Sequence, residues 1–190
     1  KKDLGKPLKQ TVQSMINHEK KQKMSLNLAF DFSINKENNT INVKRVFAAA
    51  LPLVWDAYTN SEILDQWWAP KPWKARTKKM DFREGGQWLY AMVGPQGEEH
   101  WAIATYTNIE FQKHFTGLDA FTDADGTINN DLPKSRWEVH FSDLGHHTRV
   151  EMLISYDDLA QLEATIQMGF KEGLSLAMEG LDELLASIKQ

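Results

Sequence analysis

The chain has 190 residues, of which 42% are hydrophobic and 25% are charged, a composition typical of one soluble globular domain. Its net charge of -4 gives nucleic acid no general attraction, and the lack of cysteine excludes disulfide and thiolate chemistry. The sequence contains no apolar run of about 18 residues and no secretory signal core, so it predicts no membrane span and a cytoplasmic location.

The N-terminal segment, residues 1–23, differs from the rest of the chain in charge. It carries seven lysines and two acidic residues, and its apolar residues recur at helical spacing. This pattern predicts a basic helical extension, with a helix over residues 7–22 that packs on its own domain or on a second copy. Contact with an anionic membrane surface is the alternative. We expect residues 24–190 to form one domain.

A series of strands follows the extension. Alternating apolar and polar residues predict a strand from Leu26 to Ile34, and a turn leads to a second strand over residues 40–47. Two short helices are then predicted, over residues 53–59 and 62–67. Six further strands form an antiparallel meander, and their predicted ranges are 76–82, 87–93, 99–110, 114–121, 135–142 and 148–156.

The chain ends in a long helical pattern from Asp158 to Ile188, with Asp157 or Asp158 as the N-terminal capping residue. Its apolar residues fall along one stripe, over a length of roughly 45 Å at about 1.5 Å per residue. A stripe of that length requires a broad apolar partner, and a sheet is the only one that the sequence predicts. We therefore expect a curved antiparallel sheet around the helix. Gly169 and Gly173 lie inside this helix, which indicates close packing on the sheet, a tolerated cost in stability, or space for a ligand.

Several motifs along residues 40–188 carry a family likeness. They are Arg45-Val46-Phe47, Val54-Trp55-Asp56-Ala57-Tyr58-Thr59, Trp67-Trp68-Ala69-Pro70, Asp81-Phe82-Arg83-Glu84-Gly85-Gly86-Gln87-Trp88, Gly169-Phe170 and Leu181-Asp182-Glu183-Leu184-Leu185. This pattern resembles the bacterial homologues of the activator of the 90-kDa heat-shock protein ATPase, within the START-like (SRPBCC) superfamily. The resemblance implies an α+β helix-grip fold: a curved antiparallel sheet wrapped around the long C-terminal helix, two short helices after the first hairpin, and an apolar cavity between sheet and helix. It does not define an activity.

Motifs for catalysis, metal binding and cofactor binding are weak. The six histidines lack metal-ligand spacing, and the acidic loop at residues 123–127 lacks the first and last ligands of a calcium loop. No phosphate-binding or nucleophile motif occurs. Candidate acid–base side chains lie on predicted strands, but they do not form a recognisable set: Tyr90, His100, Tyr106, Glu138 and His140. We therefore predict no catalytic residue, no metal, no cofactor and no enzymatic activity.

A ligand site is predicted on the faces that strand alternation and helix periodicity turn inward. The residues that would line it are Trp67 and Trp68 at the rim, Trp88, Tyr90, Met92, Trp137, Val139, Phe141 and Met152 on the sheet, and Phe170 and Leu174 on the helix. These walls would suit a small apolar or aromatic ligand, with the Tyr90 hydroxyl orienting it. The same side chains could instead close on each other and leave no cavity.

Three functions remain open from the sequence. The first is binding of a small apolar ligand, and the second is interaction with a chaperone ATPase, which the family resemblance implies. The third is an enzyme of the cyclase or hydrolase type. A continuous cavity would favour the first, a filled cavity with an exposed aromatic patch the second, and convergent polar groups deep inside the third.

Overall fold

A computed structural model describes residues 13–17 and 30–188. Residues 13–17 are helical and exposed, and they belong to a first helix, α1. The other residues of the predicted N-terminal helix lie outside the described residues, as do Leu26 and Leu28 of the first predicted strand. The extension and its boundary with the domain remain predictions.

Eight antiparallel strands form one sheet in the order β1-β2-β8-β7-β6-β5-β4-β3. The second strand therefore pairs with the last strand, and all other pairs of neighbouring strands are consecutive in the sequence. The strands are β1 Phe30–Asn35, β2 Thr40–Phe47, β3 Lys74–Met80, β4 Gln87–Val93, β5 Glu99–Glu110, β6 His114–Thr122, β7 Ser135–Asp143 and β8 Thr148–Ser155. Register shifts in β3 between Thr77 and Lys79, and in β5 between Tyr106 and Asn108, add the local twist that helps a sheet to curve.

Two short helices connect β2 to β3, and both pack into the core. They are α2 Leu51–Thr59 and α3 Ser61–Trp67. The Asn60 side chain accepts a hydrogen bond from the backbone N–H of Glu62 and caps α3. The Asp65 carboxylate on α3 accepts from both the backbone N–H and the hydroxyl of Thr77, at 2.9 and 2.7 Å, which fixes α3 against the irregular part of β3.

The C-terminal helical region is two helices, α4 Leu159–Gln167 and α5 Phe170–Ile188, and the prediction of one continuous helix was wrong. Asp158, one of the two predicted capping residues, caps α4 by accepting a hydrogen bond from the backbone N–H of Gln161. Gly169 adopts a φ of 80°, which ends α4 and redirects the chain into α5. Glycine reaches this left-handed conformation without the steric cost that other residues incur.

The core lies between the sheet and the helices. On α5, the residues that face it are Leu174, Ala177, Met178, Leu181 and Leu185. The side chain of Arg45 on β2 contacts the carboxylate of Asp182 on α5 and joins helix to sheet. This architecture confirms the predicted α+β helix-grip fold. Among the described residues, none of the helices has both the length and the hydropathy that crossing a membrane requires.

Candidate ligand-binding cavity

A cavity of about 420 Å³ lies between the sheet and the two C-terminal helices. Its sheet wall comes from β4 to β7, and its helix wall comes from the junction of α4 with α5. The loop between α3 and β3 contributes Trp68, Pro70 and Trp73. Exposed side chains of His100 and Met168 place the solvent side of the cavity near the start of β5 and the end of α4.

Six of the eleven residues proposed from the sequence line this cavity. They are Trp68, Tyr90, Met92, Trp137, Phe170 and Leu174. Three others line a second, smaller cavity of about 40 Å³: Trp88, Val139 and Met152. The residues common to both linings are Trp68, Tyr90, Asp119 and Trp137, so these four mark the inner end of the large cavity.

The structure places Trp67 and Phe141 in the packed core, away from both cavity linings. The Trp67 indole is 2% exposed and donates a hydrogen bond to the carbonyl oxygen of Ala57 at 2.8 Å. Its position on the inward side of α3 explains why it is not at the rim. Phe141 packs against Trp55 and Tyr58, with ring centroids 5.0 and 5.5 Å apart, so aromatic neighbours already occupy the space around it.

Aromatic rings fix the shape of the inner end. Trp88 and Tyr90 lie on the same face of β4, and their rings stack with centroids 3.9 Å apart. The Trp68 indole donates a hydrogen bond to the Tyr90 hydroxyl oxygen at 3.0 Å. Because that hydroxyl accepts from Trp68, its own proton remains available to a ligand. Trp137 and Phe170 meet edge to face at 6.0 Å and form the opposite wall.

Asp119 on β6 is a polar cavity residue that the sequence reasoning missed. Burial raises the pKa of its carboxyl to about 7, from an ordinary value of 3.8. The side chain is half-buried, and it lines both cavities. No hydrogen bond or ion pair within the described part of the chain satisfies this carboxyl.

The charge of Asp119 acts on three tyrosines that surround the inner end: Tyr90, Tyr106 and Tyr156. Burial raises the pKa of each phenol above its ordinary value of 10.0, and the negative charge of Asp119 raises it further. The hydrogen bonds that Tyr90 and Tyr156 make act in the opposite direction but do not outweigh burial. All three phenols are therefore neutral hydrogen-bonding groups over the physiological range.

A sequence signal for Asp119 did exist. Alternate residues of a strand share a face, and Phe115, Gly117, Asp119 and Phe121 follow that period on β6. A carboxylate between aromatic neighbours on an inward face is unusual enough to mark a site. The face could not be assigned from sequence, since Leu118 and Ala120 on the opposite face are also apolar.

Two glycines shape the helix wall. Gly169 forms the break between α4 and α5, and Gly173 lies one turn further along α5; both line the cavity. A Cβ atom added to Gly173 would meet only the Cγ atom of Pro70, at an ordinary distance of 3.8 Å. The space in front of Gly173 is thus open.

Metal-binding geometry is not found in the part of the chain that the structure describes. No group of three or more histidine, aspartate or glutamate side chains there is arranged to hold an ion. His114 and His140 are neighbours across β6 and β7, with ring centroids 5.4 Å apart. His114 instead pairs with Asn108, at 2.6 Å, so its ring already has a protein partner.

Comparisons with known proteins show the family and the fold of this chain. The sequence profile described as "Activator of Hsp90 ATPase homolog 1-like protein" matches residues 48–186. A crystal structure from Mycobacterium smegmatis is 30% identical, with a TM-score of 0.76 and coverage of 82% of this chain and 95% of that chain. A solution structure from Arthrobacter aurescens is 26% identical, with a TM-score of 0.78 and coverage of 83% and 91%.

A solution structure from Staphylococcus epidermidis is also similar, at 26% identity and a TM-score of 0.72, over 82% of this chain and 94% of that chain. A comparison with curated protein sequences found no significant match. The profile match spans well over half of the chain and includes the short helices, the meander and the C-terminal helices. The chain belongs to the Activator of Hsp90 ATPase homolog 1-like protein family.

Proposed function

We propose that this protein is a non-enzymatic binding domain for a small apolar or aromatic ligand, held between the sheet and the C-terminal helices. The observation that supports this most directly is the cavity of about 420 Å³ with aromatic and aliphatic walls. Small-molecule sites commonly have volumes of about 300–1,000 Å³, apolar linings and a few convergent polar groups. The inner end supplies such groups in Tyr90 and Asp119.

The walls would provide most of the binding free energy. Burial of apolar ligand surface contributes roughly 25 cal/mol per Å², from which the costs of association are subtracted. Neighbouring rings hold two of the walls in place before any ligand binds. The ring centroid of Trp68 lies 5.7 Å from that of Trp88, and the ring centroid of Trp137 lies 6.0 Å from that of Phe170. A preformed wall loses little side-chain entropy on binding, which favours affinity.

The aromatic side chains at the end of α3 and in the loop that follows it give less support to interaction with a chaperone ATPase than the cavity gives to ligand binding. Trp67 is buried, and Trp68 and Trp73 are half-buried against their own domain. Aromatic side chains that anchor a protein partner need to reach the surface of the free protein. Instead, Trp67 packs in the core and Trp68 lines the cavity, while Trp73 lies against the His100 ring at the solvent side of the cavity.

Catalysis is the second candidate, and a specific observation favours it. The pKa of the Asp119 carboxyl is raised to about 7, and it shares the cavity with Tyr90; a carboxyl with such a pKa is suited to general acid–base chemistry. Native mass spectrometry of protein purified from its own host distinguishes the two functions. A binding domain should retain one small molecule that is stable on prolonged incubation, whereas an enzyme should convert it.

The binding function is tested directly by titrating N-phenylnaphthylamine, a neutral dye whose fluorescence rises in apolar surroundings. We expect saturable binding to the wild type and to Gly173→Ala, because alanine adds one methyl group with ordinary contacts. Gly173→Leu should bind at least tenfold more weakly, because its side chain occupies the cavity. Both substitutions favour the helix by up to about 1 kcal/mol, so the leucine variant should remain folded.

The alternative of a closed core predicts a different pattern. The leucine side chain would then overpack α5 against the sheet and lower the unfolding free energy by about 1–3 kcal/mol. Neither the wild type nor either variant would bind the dye. That combination, measured by urea denaturation and fluorescence titration, would exclude the proposed function.

A further inference from the structure

We propose that the cavity selects a ligand with a single cationic amine, which binds against the Asp119 carboxylate while its apolar body fills the cavity. This inference rests on the proposed function and adds the charge class of the ligand. It depends on three features of the described residues: the position of Asp119, the charges of the cavity walls, and the aromatic faces around the carboxylate.

Asp119 is at the inner end of the cavity, where a ligand would meet it last. It lines the large cavity and the small one beyond, together with Trp68, Tyr90 and Trp137. The large cavity runs from there to the exposed side chain of Met168. An elongated ligand can therefore place one end at the carboxylate and the other near solvent.

The cavity walls offer Asp119 no permanent positive charge, and His100, near the solvent side, is their one basic side chain among the described residues. Among the described residues that line the two cavities, none is a lysine or an arginine, and Asp119 is the only acid. A carboxylate enclosed without a partner is costly, and a cation at hydrogen-bond distance offsets that cost. An ammonium group on the ligand would supply such a cation.

The surroundings of Asp119 also suit a cation. Trp68, Tyr90 and Trp137 border the same inner end, and indole and phenol faces attract cations within about 6 Å of the ring centre. Desolvated cation–π contacts are among the stronger examples of this interaction. The combination of one carboxylate with several aromatic faces recognises an amine more strongly than a neutral group of the same shape.

A neutral ligand that accepts a hydrogen bond is the competing possibility. It would require Asp119 to stay protonated and donate its proton. A pKa of about 7 leaves the carboxyl about half ionised near neutral pH, so neither form is excluded before a ligand arrives. An ammonium group stabilises the ionised form by direct attraction, whereas a neutral acceptor binds only the protonated form.

Three matched compounds test the charge preference: naphthylethylamine, naphthylethanol and naphthylacetate. They share the aromatic body and differ in carrying a positive, a neutral or a negative group. Each is titrated against the protein with bound N-phenylnaphthylamine, and its dissociation constant is obtained from displacement. We expect the amine to bind at least tenfold more tightly than the alcohol, and the carboxylate to bind most weakly.

Variants connect the preference to Asp119. Asp119→Asn keeps the size of the side chain and removes its charge, so the amine-to-alcohol affinity ratio should fall to about one while the alcohol still binds. Asp125→Asn is the matched control, because Asp125 is an 89% exposed carboxylate on the β6–β7 loop. It should leave the ratio unchanged if the effect depends on the cavity and not on overall charge.

The wild type offers a second measurement that needs no variant. The amine preference should decline by about tenfold as the pH falls from 8 to 5, since Asp119 gains a proton while the amine stays charged. The titratable groups around Asp119 are Tyr90 on β4, His100 and Tyr106 on β5, and Tyr156 after β8. Repeating the titration with His100→Gln removes any contribution of this histidine to the pH dependence of the amine preference.

The outcomes separate the two proposals. Equal affinity for the amine and the alcohol, tightest binding of the carboxylate, or an unchanged ratio in Asp119→Asn would overturn the amine inference. Dye binding to the wild type would still support the proposed function in each of those cases. Failure of the dye and of all three compounds to bind would overturn the proposed function itself.

Discussion

The layer between α5 and the sheet is filled at one end and hollow at the other. Around Asp182, which contacts Arg45 on β2, the side chains of Met178 and Leu181 are fully buried at 0% exposure. Toward Gly169, the same helix borders a cavity of about 420 Å³. We therefore expect stability to depend mainly on the filled end, and the proposed ligand binding to depend on the hollow end.

The largest expected effect on stability comes from truncating one α5 leucine at the filled end and one at the hollow end. Leu181→Ala should lower the free energy of unfolding by about 4 kcal/mol, because truncation of a fully enclosed leucine removes contacts on all sides. Leu174→Ala should cost only about 2 kcal/mol, because Leu174 already borders open space. Urea denaturation of both variants measures the difference. Equal losses would show that the two ends are packed alike.

The ion pair at the filled end gives the next effect. Asp182→Asn should cost about 3 kcal/mol, because it leaves the Arg45 guanidinium, whose side chain is 9% exposed, without its charged partner. Glu183→Gln is the matched control on the next residue of α5. Its partner Lys71 is 3.0 Å away and both side chains are more than 70% exposed, so we expect a change below about 0.5 kcal/mol.

Asp119 predicts a dependence of stability on pH at the hollow end. Its pKa in the folded protein, about 7, exceeds its ordinary value of 3.8, so the folded protein holds this proton more tightly than the unfolded chain. The carboxyl therefore stabilises the fold below about pH 4, and this contribution is lost as the pH rises through about 7.

Relative to Asp119→Asn, the wild type should lose about 2 kcal/mol of stability between about pH 4 and pH 8. This figure is below the full linkage limit because the cavity admits some solvent to the carboxyl. Paired urea titrations at the two pH values measure the difference, and the other carboxyl groups cancel between the two proteins. A constant difference would mean that Asp119 titrates as an exposed residue.

The smallest effects concern two glycines. Gly169→Ala should cost about 1 kcal/mol, because alanine is strained at a φ of 80°. Gly180→Ala should stabilise the protein by up to about 1 kcal/mol, since Gly180 is inside α5 and an added Cβ meets nothing within 4 Å. Thermal melts of the two variants should therefore shift in opposite directions. Stabilisation by both would indicate that the helix break is dispensable.

The sheet and its helices were largely predictable, because alternation and turn residues locate strands without knowledge of the tertiary structure. The predicted β4 strand matches the observed Gln87–Val93, and the first hairpin has the predicted turn. The break at Gly169 was missed because apolar spacing continues across it, from Ile166 to Phe170. Hydrophobic periodicity does not report a positive φ, so the glycine itself was the sole indication of a helix break.

The cavity was only partly predictable for a related reason. Alternation indicates which side chains point inward, as it did for Tyr90 and Trp137, but not whether they meet other side chains or empty space. Phe141 was assigned to the site as an inward-facing aromatic and Trp67 as part of the rim, yet neighbouring rings occupy the surroundings of both. Asp119 was missed because its strand is apolar on both faces.

The contacts of Trp68 have an optical consequence. Its ring lies 5.3 Å from Trp67, 5.7 Å from Trp88 and 6.0 Å from Trp137. At such separations, excitation absorbed by one indole migrates to the others before it is emitted. A compound that quenches Trp68 or Trp137 from within the cavity should therefore lower the emission of all four tryptophans together. Intrinsic fluorescence would then report binding in the cavity without a label.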